Sequence, residues 1–279
     1  MVYTNDLAPI GVFDSGIGGL TVLKGLINLL PFENWVYLGD TARLPYGSKS
    51  PETIRNYTLQ NLKYLSRYHC KAYVIACNSA SAQFPDKSFN GVPVFNVIEP
   101  GVKQALSFTD SLKIGIIGTK ATINSHIYKN KLLNQNYQGK ILEQACPLFV
   151  PLVEEGLYEG DVTDLIIHQY LADFKKEKID SLILGCTHYP LLKKALSKYF
   201  DLPIKFISSE FYLSEMLKNQ KLTNTSNANS SRNDKPKPQG FTSTIKVLTT
   251  DDYKHVKSLI EDILEDLNPS FETVDIRPN

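Results

Sequence analysis

Two of the four cysteines stand where a thiol can do chemistry. Cys77 follows the apolar run Tyr73–Ala76 and opens Cys77-Asn78-Ser79, and Cys186 follows Leu182–Gly185 and opens Cys186-Thr187-His188. Each pattern reads as a strand end passing into a helix, where the N-terminal dipole favours thiolate. A single such cysteine is more often a small buried apolar residue. Two in like settings, 109 residues apart, ask for a paired role. A disulfide oxidoreductase would want them adjacent, and nothing in their settings suggests that. A cysteine hydrolase needs one nucleophile with a base such as His188, which leaves Cys77 idle. A symmetric reaction needs symmetric groups: one thiolate takes a proton from a carbon and a thiol opposite returns one to the other face. That is cofactor-independent racemisation or epimerisation, a form of general acid–base catalysis. Cys70 and Cys146 have no comparable setting and read as structural.

The elements that must position these groups alternate between short apolar runs and helical stretches, the rhythm of βαβ units in a mainly parallel sheet. Strands are expected at Ile10–Phe13, Trp35–Leu38, Ala72–Ala76, Val92–Val97, Lys113–Ile117, Ser181–Leu184, Ile204–Ile207 and Thr244–Leu248. Helices are expected at Thr21–Leu30, Pro51–Tyr68, from about Ser125, from about Pro190 and at Tyr253–Leu267. The pattern restarts mid-chain. Ile10–Gly16 resembles Ile114–Lys120 at an offset of 104, close to the offset of 109 between the cysteine motifs. Two similar α/β halves account for both matches, although an apolar strand followed by small polar residues is also common by chance. Ligands bind beyond the carboxyl ends of such strands. Asp14-Ser15, Cys77-Asn78-Ser79, Thr119 and Cys186-Thr187-His188 all lie there and would converge on one cleft.

Gly16-Ile17-Gly18-Gly19 lacks the third glycine of a dinucleotide fingerprint, since position 21 is Thr21, and no phosphate-binding G-x-x-x-x-G-K-[ST] occurs. The loop reads either as backbone N–H groups open to a small carboxylate or as a tight strand-to-helix turn. Glu154, beside Glu155, reads on its own as a solvated acidic pair. His188 alone reads as a hydrogen-bonded structural residue, Asp40 and Arg43 as a loop pair, and Tyr46 after Pro45 as a packing aromatic.

Composition narrows the classes. Among 279 residues, 30 Lys+Arg balance 29 Asp+Glu for a net charge of +1, without the basic footprint of nucleic-acid binding. A hydrophobic share of 42% is that of a globular chain. No run of about 18 apolar residues suggests a membrane span. Met1–Ile10 lacks the basic and apolar segments of a signal peptide, so reduced thiols and a cytoplasmic location are expected. Thr223–Gly240 is Asn-, Ser-, Lys- and Pro-rich and reads as a flexible polar insertion.

Six motifs in order resemble bacterial glutamate racemase, within the aspartate/glutamate racemase superfamily. They are Gly11–Leu23 around Asp14-Ser15-Gly16, Gly39–Gly47, Ala76–Ala82, Gly118–Thr122, Phe149–Glu155 and Gly185–Leu191. The resemblance is close over residues 9–210 and looser beyond. It implies two similar parallel-sheet α/β domains related by pseudo-twofold symmetry, with the active site in the cleft between them. Residues 1–98 plus 211–279 would form one domain and 99–210 the other, with the insertion at 223–240. It implies interconversion of L- and D-glutamate without pyridoxal phosphate, metal or nucleotide, supplying D-glutamate for peptidoglycan. By that likeness Cys77 takes the proton from D-glutamate and Cys186 from L-glutamate, with Asp14, Glu154 and His188 assisting. Asp14, Ser15, Pro45, Tyr46, Gly47, Asn78, Ser79, Thr119, Thr187 and His188 match the substrate-binding positions. The only partner implied is a second copy of the chain, as a homodimer. Ser79 stands where the family usually has threonine, and Thr249-Thr250-Asp251-Asp252 matches its C-terminal turn only loosely.

Overall fold

The computed structural model describes residues 7–108, 112–201, 203–220, 222–223, 243–252, 257–265 and 267–276. The chain runs β1 (Ile10–Asp14), α1 (Leu20–Leu29), β2 (Trp35–Gly39), α2 (Pro51–Leu65), β3 (Ala72–Ile75), α3 (Asn78–Gln83), β4 (Ser88–Phe89) and β5 (Val92–Asn96). It crosses on α4 (Ile98–Ser107) into β6 (Lys113–Gly118), α5 (Lys120–Asn124), α6 (Ile127–Asn134), β7 (Lys140–Ala145), α7 (Phe149–Glu154) and α8 (Asp161–Glu177). β8 (Ser181–Gly185), α9 (Lys193–Tyr199), β9 (Lys205–Ile207) and α10 (Glu210–Asn219) follow. β10 (Ile245–Thr249), α11 (Lys257–Leu264) and β11 (Ser270–Thr273) then rejoin the first sheet.

The first sheet has the order β11-β10-β2-β1-β3-β5-β4 and the second β7-β6-β8-β9. The stretch β2-β1-β3-β5 and the whole second sheet share one winding, so β1 corresponds to β6 and β3 to β8. The sequence repeat is therefore a repeat of topology. All pairings are parallel except β4 with β5, an antiparallel edge on an otherwise parallel sheet, as the expected mainly parallel rhythm allows. β1, β2, β3 and β8 are buried at every residue. A sheet covered on both faces requires that, and it makes these strands read as continuous apolar runs. One core cluster runs from α1 and the first sheet into α7, α8 and β8, joining the halves, while smaller clusters back each sheet.

Several helices end where local chemistry ends them. Ser50 caps α2 by accepting the Thr53 N–H, with Pro51 in the first turn. α2 stops at Leu65, short of the expected Tyr68, as a 3-10 turn tightens into left-handed His69 at φ 52°. The helix expected from about Ser125 is α6, which begins at Ile127 after His126 at φ 52°, and the short α5 before it was not expected. The helix expected from Pro190 starts as a 3-10 turn at Tyr189–Leu192. β7 is half-buried along its length and has no apolar run to announce it. The insertion expected at 223–240 falls, from residue 224, outside the described residues, as does the start of the helix expected at Tyr253–Leu267. Among the described residues no helix is long and apolar enough to cross a membrane.

Candidate active site

The carboxyl ends of both sheets face one cavity. Both Cys77 and Cys186 line it, with Ser15, Pro45, Tyr46, Gly47, Asn78, Ser79, Thr119, Thr187 and His188. Gly16, Leu44 and Val150 complete the wall, and the sequence motifs had not singled out a role for Leu44 or Val150. Asp14 and Glu154 do not line it. Asp14 is fully buried beneath the Gly16–Gly19 loop, and Glu154 lies on the outer side of His188.

The place of Asp14 corrects the reading of the glycine loop as an open anion cradle. Its Oδ2 accepts the N–H groups of Gly16 at 3.0 Å and Gly19 at 3.2 Å, so the chain's own carboxylate fills the cradle. Oδ1 accepts the Thr187 hydroxyl from the other half at 3.3 Å. Thr21 on α1 donates to the Thr187 carbonyl at 3.1 Å, a second tie across the halves. Gly18 must be glycine for the same packing. A Cβ there would stand 2.5 Å from His188 Nδ1. The loop thus orders the strand end of the other half.

The loop after β2 is held as firmly. Asp40, buried, accepts the Tyr46 hydroxyl, the Arg43 guanidinium and the Thr250 hydroxyl (3.0 Å). Asn61 on α2 donates to the Tyr46 oxygen at 2.9 Å. Asp40 and Arg43 are therefore part of a buried network and not an isolated surface pair. Thr250 and Asp251, which the sequence matched only loosely, clasp this loop from β10, since Asp251 N–H donates to Thr41 at 2.9 Å. Across the cavity the Ser79 and Thr119 hydroxyls lie 2.8 Å apart, joining the two halves at the position where threonine was expected.

A sequence profile described as Asp/Glu/hydantoin racemase matches residues 19–209. The chain belongs to that family. It is similar to a glutamate racemase of Aquifex pyrophilus, 50% identical over 212 residues, which make up 75% of this chain and 82% of the relative. In structure it is similar to glutamate racemase from Francisella tularensis subsp. tularensis SCHU S4 in complex with D-glutamate, with TM-score 0.83 and 36% identity over 97% of this chain and 98% of that one. The RacE1 isoform of glutamate racemase from Bacillus anthracis gives TM-score 0.86 and 32% identity, covering 97% of this chain and 98% of that one. The chain is thus an amino-acid racemase built as two similar α/β domains around a cleft.

In this racemase the two sulfurs have unlike surroundings. Cys77 is the N-cap of α3 and accepts the Ala80 N–H at 3.5 Å, with the Ser15 hydroxyl also 3.5 Å away. Burial, then the Asp14 carboxylate, push its thiol up to about 12 against the pull of the Ser15 and Ala80 contacts. Cys186 is followed by a turn and not by a helix, and its partner is His188 Nδ1 at 3.9 Å. The other imidazole nitrogen, Nε2, faces Glu154 at 3.4 Å, a charge contact and not an aligned hydrogen bond. Burial opposes a charge on His188. The Cys186 and Glu154 contacts, joined by Asp14, outweigh it and raise its pKa to about 10. His188 is therefore an imidazolium at neutral pH. Burial likewise raises Asp14, while His188 and the loop N–H groups draw it back. Among the described residues no three His, Cys, Asp or Glu side chains are grouped to hold a metal.

Proposed function

We propose that this chain interconverts L- and D-glutamate by proton transfer between Cα and two cysteines, without a cofactor. The observation that carries the reading is that Cys77 and Cys186, from corresponding strand ends of two like-wound sheets, line one cavity. A thiolate on one side takes the Cα proton, leaving the electron pair at Cα. The thiol on the other side gives its proton to the opposite face, so the two sulfurs end with their protonation states exchanged. His188 supplies positive charge beside Cys186, Glu154 holds that charge, and Asp14 fixes the loop between the sulfurs. Ser15, Pro45, Tyr46, Gly47, Asn78, Ser79, Thr119 and Thr187 would hold the ammonium and carboxylate groups. Glutamate as the substrate is supported by the relatives' names and by the D-glutamate in the Francisella enzyme. The cellular role that follows is supply of D-glutamate for peptidoglycan in the cytoplasm, by a homodimer.

In D2O, L-glutamate should gain deuterium at Cα while its optical rotation decays to zero. Cys77→Ala and Cys186→Ala should each lower racemisation at least 10³-fold, within the range of acid–base catalysis. Full racemisation by either variant would overturn the two-thiol assignment. Faster turnover of aspartate than glutamate would overturn the substrate. Binding of glutamate without deuterium wash-in would mean a binding protein that has lost turnover.

A further inference from the structure

Asn78 lines both the substrate cavity and a second, neighbouring cavity. Tyr128 on α6, in the other half of the molecule, also lines the second. Its ring lies against Gly101 of α4, where a Cβ would come to 3.3 Å, and its hydroxyl is 2.6 Å from Asn78 Oδ1. Among the described residues this is the one hydrogen bond of the Tyr128 hydroxyl, and the residue is 3% exposed. A buried O–H with a single acceptor in reach must donate to it. The reversed amide, with Nδ2 toward Tyr128, would leave that proton without an acceptor. Burial, then Glu210 and Cys186, keep the phenol well above its ordinary pKa, so it remains a donor. With Oδ1 taken, Nδ2 is the polar atom that Asn78 has left to offer in the cavity it lines, and no described residue hydrogen-bonds to it.

We infer that Tyr128 is a positioning residue: by donating to Asn78 Oδ1 from the opposite half, it holds the Asn78 amide with both Nδ2 protons aimed at a substrate carboxylate. An unsupported asparagine presents a carbonyl oxygen as easily as an amide, and an oxygen facing a carboxylate repels it. The bond crosses between the halves. The inference rests on the proposed racemase reading. It does not depend on which sulfur serves which enantiomer.

Tyr128→Phe keeps the ring and removes the proton donor. The substrate carboxylate is charged before any proton moves, so the lost contact weakens ground state and transition state alike. KM should rise about tenfold for both enantiomers, as for loss of one charge-assisted hydrogen bond, with kcat within about twofold and the thermal midpoint lowered by only a few degrees, as for one buried hydrogen bond. In an Asn78→Ala background the same substitution should change KM less than about twofold, because the two residues act as a unit. An unchanged KM, or an equal rise in the Asn78→Ala background, would overturn the inference. Failure of the wild-type chain to racemise glutamate would instead overturn the proposed function, and is read before any variant is made.

Discussion

Cys77 and Cys186 end corresponding strands of two sheets wound alike, yet what surrounds them differs in kind. Cys77 has a helix N-terminus and a hydroxyl, both neutral, with the Asp14 carboxylate near enough to oppose ionisation. Cys186 has an imidazolium backed by a carboxylate. The duplicated backbone therefore delivers two sulfurs to one cavity, but the resting charge distribution is lopsided. Cys77, pushed up to about 12, waits as a thiol, and the positive charge stands beside Cys186. On the proposed two-thiol reading each direction begins with a different sulfur as the base, so unlike surroundings give the two directions different local chemistry.

The largest expected effect comes from removing the charge on one side only. His188→Asn should lower kcat/KM about 10²-fold. Enantiomers have equal free energy, so kcat/KM must fall equally in both directions, and rates alone cannot reveal the lopsidedness. Isotope effects can. With Cys186 as the base for L-glutamate, α-deuterated L-glutamate should show an enlarged primary isotope effect in this variant, and α-deuterated D-glutamate should not. Equal enlargement for both enantiomers would break the comparison, because it would mean that His188 serves both sulfurs.

Ser15→Ala is the smaller, mirror-image test. The Ser15 hydroxyl draws the Cys77 thiol down against burial, so its loss leaves the thiol still harder to ionise. A drop of about three- to tenfold in kcat/KM is expected, as for one neutral hydrogen bond. The enlarged isotope effect should now appear with α-deuterated D-glutamate. An effect confined to KM would show instead that Ser15 acts only on the substrate.

The sulfurs and their strand ends were legible because fully buried parallel strands read as apolar runs, so the first polar residue after each run marks the cleft. The offset repeat was legible for the same reason. Other parts depended on contacts between segments far apart in the chain. The glycine loop looked open to an anion because nothing in Gly16–Gly19 discloses that Asp14 folds back onto it. Tyr128 lies 50 residues from Asn78, and its helix carries no periodic signal that marks the hydroxyl. Thr250 and Asp251 acquire their role only when β10 returns beside β2. β7 was missed because a half-buried edge of the second sheet mixes Lys, Glu and Gln with its apolar residues.

Glu154→Gln offers the finest test, since it alters neither sulfur. Glu154, 28% exposed, acts on Cys186 only through the His188 charge. Without it the His188 pKa should fall below about 10, while the Cys186 and Asp14 contacts still oppose the effect of burial. A group whose folded pKa is raised contributes its stability in full below the unfolded value and loses it as pH climbs through the folded one. The wild-type chain should therefore exceed the variant in thermal midpoint most at or below pH 6.5, by an amount corresponding to about 1 kcal/mol for a partly exposed pair. That margin should shrink as pH rises and vanish above about pH 10, where His188 is neutral in both chains. Activity should follow the charge. The variant should match wild type to within a few-fold at low pH and lose ground once pH passes its lowered His188 pKa, at a lower pH than in the wild type. A stability margin of constant size across this range would mean that Glu154 packs against His188 without holding its proton, and the difference between the two sulfurs would then rest on the histidine alone.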